Sequence, residues 1–524
     1  MTSAARTATR HARTAVGLAF ACVCVVCLAH VAGGVAANEP AVDAIFSRWR
    51  STSTPGCAVG AAVDGRPVLA RGYGMADLEH DAPIAPDTIF EAGSVSKQFT
   101  AAAVLLLARD GKLSIDDPVR KYLPELPDYG TPLTIRHLLT HTSGLRDWGN
   151  VEAIAGWPRT TRAYTHAHVL DIVSRQKALN FTPGTRWSYS NTGFNLAAIL
   201  VSRVSGQTFA AFTAARLFAP LGMTHTSWRD DFTRVLKHRA VAYAERNGEF
   251  HTDMPFEDVH GNGGLLTTVG DLLKWNENFT ASTIADAAFE AAQQQGGTFT
   301  NGRPFGYAFG LFLTTASGIR VVEHSGSTAG YSAHLLRFPD QKVSVAVLCN
   351  AATARATEYA HEVADLYLPQ HTRTAAAPAR PLPASAATLF RNVDNGMVLS
   401  SVPSGSTWTI AGDRLTVTDR YSVESIFERA PAASPTPAEL EALAGTYVSD
   451  EAQTALTVTV AQGALTVVRR PDATFTMTPL YADAFRAPRL GTVIFRRDAG
   501  GRVTALSVVD DRVWDLRFAK VSDK

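Results

Sequence analysis

The chain has 524 residues, which is too long for a single ordinary hydrophobic core and predicts two or three domains. Apolar residues make up 46% of it, charged residues make up 19%, and the formal net charge is +1. This near-neutral composition lacks the basic excess that binding to a phosphate backbone requires, so we expect no nucleic-acid partner.

The N-terminal segment has the pattern of an export signal. Arginines precede an apolar run over Ala15–Ala29, and small residues follow as far as Ala37. The run is short for a membrane span, and the small residues are typical of a cleavage site. We therefore expect residues 1–37 to be a signal peptide and the mature protein to be periplasmic or secreted, without stable membrane insertion. A retained membrane anchor is the alternative.

Two cysteines, Cys57 and Cys349, lie beyond this leader, each in a strand-like segment. An exported protein can pair them in a disulfide. Two buried free thiols are the alternative, and the sequence leaves the choice open.

Helical and strand patterns alternate in the next segment, which we assign as one α+β domain over residues 38–372. Residues 95–109 have a helical pattern. Five segments have the residue pattern of β-strands. They cover residues 57–63, 68–73, 321–323, 333–337 and 343–348. Together they predict one antiparallel five-stranded sheet flanked by helices.

Alanine and proline dominate residues 373–387, which predicts an extended linker. Beyond it, alternating strand patterns and turn residues predict an all-β sandwich or barrel over residues 388–524. Thr407–Val417 matches Thr457–Val467 at six of eleven positions, so this domain is a candidate for two related halves. Chance convergence of two hairpins is the alternative.

The first motif with chemical meaning is Ser94-Val-Ser-Lys97 at the start of the predicted helix. One helical turn places the Lys97 amine on the same face as the Ser94 hydroxyl, where it can activate the serine as a nucleophile. An ordinary helix cap is the alternative role for Ser94. The spacing alone is weak evidence, because Ser174 and Lys177 repeat it in a polar stretch.

Two further motifs follow along the chain. Tyr189-Ser-Asn191 contains a phenol, and an adjacent ammonium can lower the pKa of that phenol. It also contains the Asn191 amide, which can hold a substrate carbonyl. His324-Ser-Gly326 is predicted at the end of a strand, where Gly326 permits close backbone approach and the Ser327 N–H can stabilise an oxyanion.

In this order the three motifs resemble those of the serine β-lactamase and penicillin-binding-protein superfamily, with Tyr-x-Asn as in its class C branch. Residues 138–145, 217–223 and 263–265 also resemble that branch, and the resemblance spans about residues 40–365. It implies a β-lactamase/transpeptidase-like fold, in which a helical subdomain accompanies the sheet and the nucleophile lies between them.

The resemblance also implies a role for each motif residue. Ser94 is then the nucleophile, and Lys97 and Tyr189 share the acid and base steps. Substrate contacts are implied for Asn191, His324, Gly326 and Ser327, with the N–H groups of Ser94 and Ser327 forming the oxyanion hole.

One departure from the superfamily bears on substrate choice. Many β-lactamases carry Lys-Thr-Gly as the third motif, where the lysine helps to hold the substrate carboxylate. His324, with an ordinary pKa of about 6.5, is largely neutral at the pH of most assays, which puts efficient β-lactam hydrolysis in doubt. His-x-Gly members resemble esterases and peptidases that act on D-amino-acid substrates.

We therefore expect ester or amide hydrolysis through an acyl-enzyme on Ser94. The alternative is a non-turnover penicillin-binding or cell-wall-binding sensor protein with the same fold. The sequence contains no Gly-x-Ser-x-Gly elbow and no His-Glu-x-x-His zinc helix, and we expect no cofactor and no metal. The expected partner is a small-molecule or peptide substrate, cell-wall fragments included, and the sequence does not indicate an oligomeric state.

Overall fold

The structure, a computed structural model, describes residues 38–157, 162–369, 388–403 and 405–521. The expected signal peptide and the expected linker lie outside these residues. The described chain forms an α+β domain up to residue 369 and a β-rich domain from residue 388.

Ten helices occur among the described residues of the first domain. They are α1 (38–45), α2 (Lys97–Arg109), α3 (Ile135–Leu139), α4 (Trp148–Ile154), α5 (His166–Ser174), α6 (Asn191–Ser205), α7 (Phe209–Thr213), α8 (Val269–Ala281), α9 (Ala287–Gln293) and α10 (Ala356–Asp365). Single turns of 3-10 helix cover Ser47–Trp49, Gly93–Ser96 and Val119–Lys121, and a π-helical turn covers Ala214–Phe218.

The strands of the first domain form one large sheet and several small ones. The large sheet contains β1 (Cys57–Val63), β2 (Arg66–Tyr73), β12 (Phe312–Ala316), β13 (Ile319–Thr328), β14 (Tyr331–Phe338) and β15 (Val343–Cys349). The others are β3 (Met75–Asp77), β4 (Ala82–Pro83), β5 (Phe90–Glu91), β6 (Ser227–Trp228), β7 (Tyr243–Arg246), β8 (Glu249–Thr252), β9 (Leu265–Thr267), β10 (Gly297–Thr298) and β11 (Pro304–Phe305).

The large sheet is antiparallel throughout, in the order β12-β13-β14-β15-β1-β2. The α+β fold class is confirmed, but the count of five strands is wrong because β12 was missed. This edge strand is partly exposed along its length, so it lacks the buried-exposed alternation that identifies a strand from sequence. Strand β13 is also longer than expected, and the His324 motif lies within it rather than at its end.

Helices cover both faces of the sheet. Strands β1, β14 and β15 bury one set of side chains with α1 and α10, and β1 buries the alternate set, which includes Ala58 and Ala62, toward α8. Cys57 lies directly opposite Cys349 on the neighbouring strands β1 and β15, and the structure joins the two in a disulfide.

The second domain contains one helix and thirteen strands among its described residues. They are β16 (Thr388–Asn392), β17 (Thr407–Ala411), β18 (Arg414–Thr418), β19 (Glu424–Pro431), α11 (Pro437–Leu443), β20 (Gly445–Ser449), β21 (Thr454–Ala461), β22 (Ala464–Arg469), β23 (Ala473–Thr476), β24 (Thr478–Pro479), β25 (Ala484–Ala487), β26 (Gly491–Arg497), β27 (Val503–Val509) and β28 (Leu516–Lys520).

These strands form a four-stranded sheet and a nine-stranded, nearly closed barrel. The barrel begins with β23 and ends with β24, which are separated in the chain by Met477 alone, so the two edges of the sheet lie close together. The two similar hairpins, β17–β18 and β21–β22, belong to different sheets. An origin of this domain by duplication therefore stays a prediction.

In the described parts of the chain, no single helix is long and apolar enough to cross a membrane, although the bent pair Asn191–Ser205 and Phe209–Phe218 passes the length and composition criteria jointly.

Arg146 makes a buried contact between the two domains. Its side chain is only 3% exposed and forms an ion pair with Glu451 of the second domain at 2.9 Å. The guanidinium also donates to the carbonyl oxygens of Trp514 and Asp515, both at 3.2 Å. These two residues end the loop between β27 and β28, so the contacts fix residues 510–515 against the first domain.

Replacing this arginine tests the interface. We expect Arg146→Leu to lower the free energy of unfolding by about 3–5 kcal/mol, because it leaves the Glu451 carboxylate and two carbonyls without their partner. Urea denaturation followed by tryptophan fluorescence measures the loss. The control is Arg120→Leu, which removes an exposed pair with Asp128 and is expected to cost less than about 1 kcal/mol. Equal denaturation midpoints for the two variants would contradict this role of Arg146.

Candidate active site

Ser94 and Lys97 occupy the entry to α2. The chain leaves β5, passes through the 3-10 turn Gly93–Ser96 and begins α2 at Lys97. One turn of helix separates the two side chains, and Lys97 Nζ donates a hydrogen bond to Ser94 Oγ at 3.1 Å. The structure therefore brings the two residues of the first motif into direct contact.

The Lys97 ammonium is completely buried. Besides Ser94, it donates to Asn191 Oδ1 at 2.9 Å and to the carbonyl oxygen of Asn262 at 2.7 Å. Three acceptors thus match the three hydrogens of an ammonium. If Lys97 is neutral, the direction of the first bond can reverse, and the amine then accepts the Ser94 proton.

Tyr189 lies between cationic and aromatic neighbours. Lys97 Nζ is 4.8 Å from the centre of the phenol ring, Arg512 Cζ is 4.9 Å from it, and the His141 ring centre is 4.3 Å away. Burial raises the pKa of Tyr189 above its usual range, and a hydrogen bond with Ser94 and the charge of Arg512 only partly oppose that rise. The expected lowering of this pKa is wrong, because desolvation of the phenolate outweighs the nearby positive charge.

His324 is held as a neutral imidazole in β13. Its Nδ1 lies 2.6 Å from the carbonyl oxygen of Ser325, which can only accept, so Nδ1 carries the proton. The Tyr307 hydroxyl then donates to Nε2 at 3.2 Å. Burial, followed by the charge of Lys97, lowers the pKa of His324 to about 3. The expectation of a neutral third-motif side chain is confirmed.

Two glycines allow β13 to pass directly beside the nucleophile turn. Gly93 has a φ of +49°, and a Cβ at this position would lie 2.6 Å from the Ser327 nitrogen. A Cβ at Gly326 would lie 2.0 Å from the Ala92 carbonyl oxygen and 3.0 Å from the Ser94 nitrogen. The glycines therefore let the backbone N–H groups of Ser94 and Ser327 approach one another, as an oxyanion hole requires.

A cavity of about 470 Å³ opens beside these groups. Six of the seven residues singled out from the sequence line it, and Lys97 lies behind its wall. The six are Ser94, Tyr189, Asn191, His324, Gly326 and Ser327.

Among the lining residues that sequence reasoning missed are two that contact the motif side chains, Asn262 and Arg512. Asn262 precedes the glycine pair Gly263-Gly264, which was noted only as a resemblance. Arg512 comes from the second domain, in the loop between β27 and β28, and no local pattern marks it.

The second Ser-x-x-Lys pair lies away from this site. Ser174 Oγ donates to the carbonyl oxygen of Asp171 at 2.7 Å, and Lys177 Nζ pairs with Asp450 on the surface at 3.3 Å. Neither residue lines the cavity, so the second pair is not part of this site.

Comparison with known proteins agrees with this arrangement. Residues 41–368 match the family model described as Beta-lactamase, which is more than half of the chain. The chain belongs to the β-lactamase family. Penicillin-binding protein 4* of Bacillus subtilis is 29% identical over 309 residues, which is 55% of this chain and 67% of that protein. A D-aminopeptidase of Gluconobacter oxydans is 30% identical over 318 residues, which is 60% of this chain and 59% of that protein.

The chain thus spans about 60% of the length of the curated D-aminopeptidases it matches. Among solved structures, the octameric penicillin-binding protein homologue from Pyrococcus abyssi matches with a TM-score of 0.56 and 22% identity. The match covers 93% of this chain and 100% of that chain. The D-amino acid amidase from Ochrobactrum anthropi covers 63% of this chain and 97% of its own, with a TM-score of 0.54 and 22% identity. These likenesses show the fold, and the first includes most of the second domain.

The two Ser-x-x-Lys pairs provide a matched test of the site. We expect Lys97→Met to lower kcat/KM for a p-nitrophenyl ester by about 10²–10⁴-fold, because it removes the amine that contacts Ser94. Lys177→Met, at the equivalent position of the exposed pair, should leave kcat/KM unchanged. Circular dichroism checks that both variants fold. Equal kcat/KM values for folded Lys97→Met and Lys177→Met would rule out a role for Lys97 in proton transfer.

Proposed function

We propose that the protein is an exported serine hydrolase that cleaves an ester or amide bond through an acyl-enzyme on Ser94. The observation that carries the proposal is the contact of Lys97 Nζ with Ser94 Oγ at 3.1 Å, beside a cavity that Ser94 and the other motif residues line. The export signal expected over residues 1–37 supports a periplasmic or secreted location, where small acyl or peptide compounds, cell-wall fragments among them, are available as substrates.

In the acylation step, Ser94 Oγ attacks the substrate carbonyl and its proton moves to neutral Lys97. The N–H groups of Ser94 and Ser327 hold the oxyanion. Because burial keeps Tyr189 protonated, its phenol can give a proton to the leaving group and recover one from Lys97. The carbon–oxygen or carbon–nitrogen bond then breaks, and the product carries that proton away.

Deacylation repeats these transfers with water. A water molecule loses a proton to the neutral Lys97 and Tyr189 pair and attacks the acyl carbonyl. The same proton returns to Ser94 Oγ as the ester bond breaks, so the enzyme regains its starting state. Asn191, whose Oδ1 accepts from Lys97, lines the cavity and is placed to orient the acyl group.

The charges around the cavity favour substrates that carry a carboxylate. Arg512 is the only charged residue among its described lining residues. Its side chain is 33% exposed, and its ion-pair partner Asp511 lies 3.6 Å away and is 71% exposed. A substrate anion can therefore replace the weak Asp511 pair, while the carboxylates of Asp147 and Asp510 also act on the guanidinium charge. We propose that Arg512 supplies the positive charge that a third-motif lysine provides elsewhere in the family and that neutral His324 does not provide here.

Taken with the relatives named D-aminopeptidase and D-amino acid amidase, this charge favours D-amino-acid derivatives with a free carboxylate. The alternative is a penicillin-binding protein that acylates without turnover, and the relative named penicillin-binding protein 4* favours it.

Intact-mass spectrometry separates the two functions. The mature protein and Ser94→Ala are each incubated with a fluorophosphonate, a penicillin and a p-nitrophenyl ester, and ester turnover is followed in parallel. We expect the fluorophosphonate to add a single adduct to the native protein and none to Ser94→Ala, together with Ser94-dependent turnover. A stable penicillin adduct without ester turnover supports the alternative, and the absence of both adduct and turnover contradicts the two functions together.

Paired substrates test the role of Arg512. We expect Arg512→Gln to lower kcat/KM about 10–100-fold for a D-dipeptide with a free carboxylate and much less for the same dipeptide as its C-terminal amide, because only the first pairs with the guanidinium. The control is Arg470→Gln, another arginine of the second domain, which packs over Trp157 at 5.1 Å and lies outside the cavity. An equal loss for both substrates would show that Arg512 does not recognise the carboxylate.

A further inference from the structure

A cluster of two histidines and one glutamate lies in the first domain, next to the third motif. Glu323 belongs to β13, His334 to β14 and His361 to α10. Successive residues of a strand point to opposite faces, so Glu323 faces α10 while its neighbour His324 faces the catalytic cavity. The mechanism proposed above uses none of these three side chains.

The donor atoms of the cluster already converge. Glu323 Oε2 lies 3.1 Å from His334 Nε2 and 2.8 Å from His361 Nε2, and all three ligand atoms lie within 4.8 Å of one another. Nitrogen and oxygen ligands at about 2.0–2.1 Å from a tetrahedral Zn²⁺ are about 3.3 Å apart. The two distances to Glu323 Oε2 thus lie within about 0.5 Å of this value, and the two imidazole nitrogens lie no more than 4.8 Å apart, so side-chain adjustments can place the three atoms around one ion.

The surroundings of the cluster resemble those of a built metal site. Glu323 and His334 are each 2% exposed, whereas His361 is 22% exposed and provides a path from solvent. The Thr357 hydroxyl lies 3.1 Å from His334 Nδ1. Histidines that bind a metal through one ring nitrogen typically have such a hydrogen-bond partner on the other nitrogen, which orients the ring. In the part of the chain that the structure describes, the ion pairs of Glu323 are with these two imidazoles and with no lysine or arginine.

In contrast to the expectation of no metal drawn from the sequence, we propose that Glu323, His334 and His361 form a Zn²⁺ site in which each contributes one ligand atom and water completes the coordination. Two neutral histidines that donate to one carboxylate would give the same contacts without a metal, and this is the alternative that the experiment must exclude. The donor set of two imidazoles and one carboxylate suits zinc better than the hard cations calcium and magnesium, which take oxygen ligands.

The position of the site suggests what the ion does. It links β13 and β14 to α10, directly behind the strand that carries His324, Gly326 and Ser327. Thr357, which contacts His334, also lines the catalytic cavity. A bound ion would therefore stabilise the substrate-binding wall without contacting the reacting atoms, so the proposal does not depend on the hydrolase activity.

The test is zinc binding by the metal-free full-length mature protein, measured by isothermal titration calorimetry. The decisive variant is His361→Gln, because glutamine keeps an N–H that can donate to Glu323 but does not supply the imidazole lone pair. The matched control is His80→Gln in the exposed group Asp77, Glu79 and His80, another grouping of acidic and histidine side chains. Thermal unfolding in EDTA checks that all proteins fold.

We expect one equivalent of Zn²⁺ for the native protein and for His80→Gln, and loss of this binding in His361→Gln. Thr357→Val should weaken binding about 10–100-fold. Zn²⁺ should raise the Tm of the native protein but not that of His361→Gln. The absence of stoichiometric binding to the native protein, or unchanged binding in folded His361→Gln, would overturn the proposal. Neither result would bear on acylation of Ser94, which intact mass measures separately.

Discussion

The buried amino group of Lys97 is the constraint on which the catalytic site depends. A buried amino group is costly unless its donors find acceptors, and two of these three acceptors come from distant parts of the chain. Ser94 lies on the preceding turn, Asn191 begins α6, and the Asn262 carbonyl precedes β9. The hydrogen bonds of the Lys97 amino group thus hold the nucleophile turn, the start of α6 and the loop before β9 close together.

The low polarity of the site makes burial of the Lys97 amino group costly, and it also determines the protonation states of the neighbouring side chains. Burial works against the ionised form of each group, so it raises the pKa of Tyr189 and lowers that of His324. Both are neutral at physiological pH and can pass or orient protons without adding charge. The positive charge open to the cavity therefore comes from Arg512, at its rim.

Arg512 makes the second domain part of the site. Its loop is held by Arg146, whose guanidinium is buried between the domains, and by Asn180, whose amide donates to the Arg512 carbonyl oxygen at 3.1 Å. The interface and the substrate pocket are therefore mechanically linked. A module that sequence alone describes only as all-β acquires a specific role through the position of one loop.

The sequence by itself determined the family, the order of the motifs and the residues around Ser94, because a Ser-x-x-Lys spacing on a helix fixes which side chains share a face. It also anticipated the neutral His324, since that depends on residue type. Tertiary structure alone decided the raised pKa of Tyr189, because desolvation depends on everything packed around the phenol. It alone decided the pairing of Cys57 with Cys349 and the presence of the edge strand β12. It also decided the contact of Arg512 with Tyr189, which precedes it by some 320 residues in the chain. Local patterns encode which residues share a helix or strand face, whereas contacts between distant segments arise only when the cores of the two domains pack.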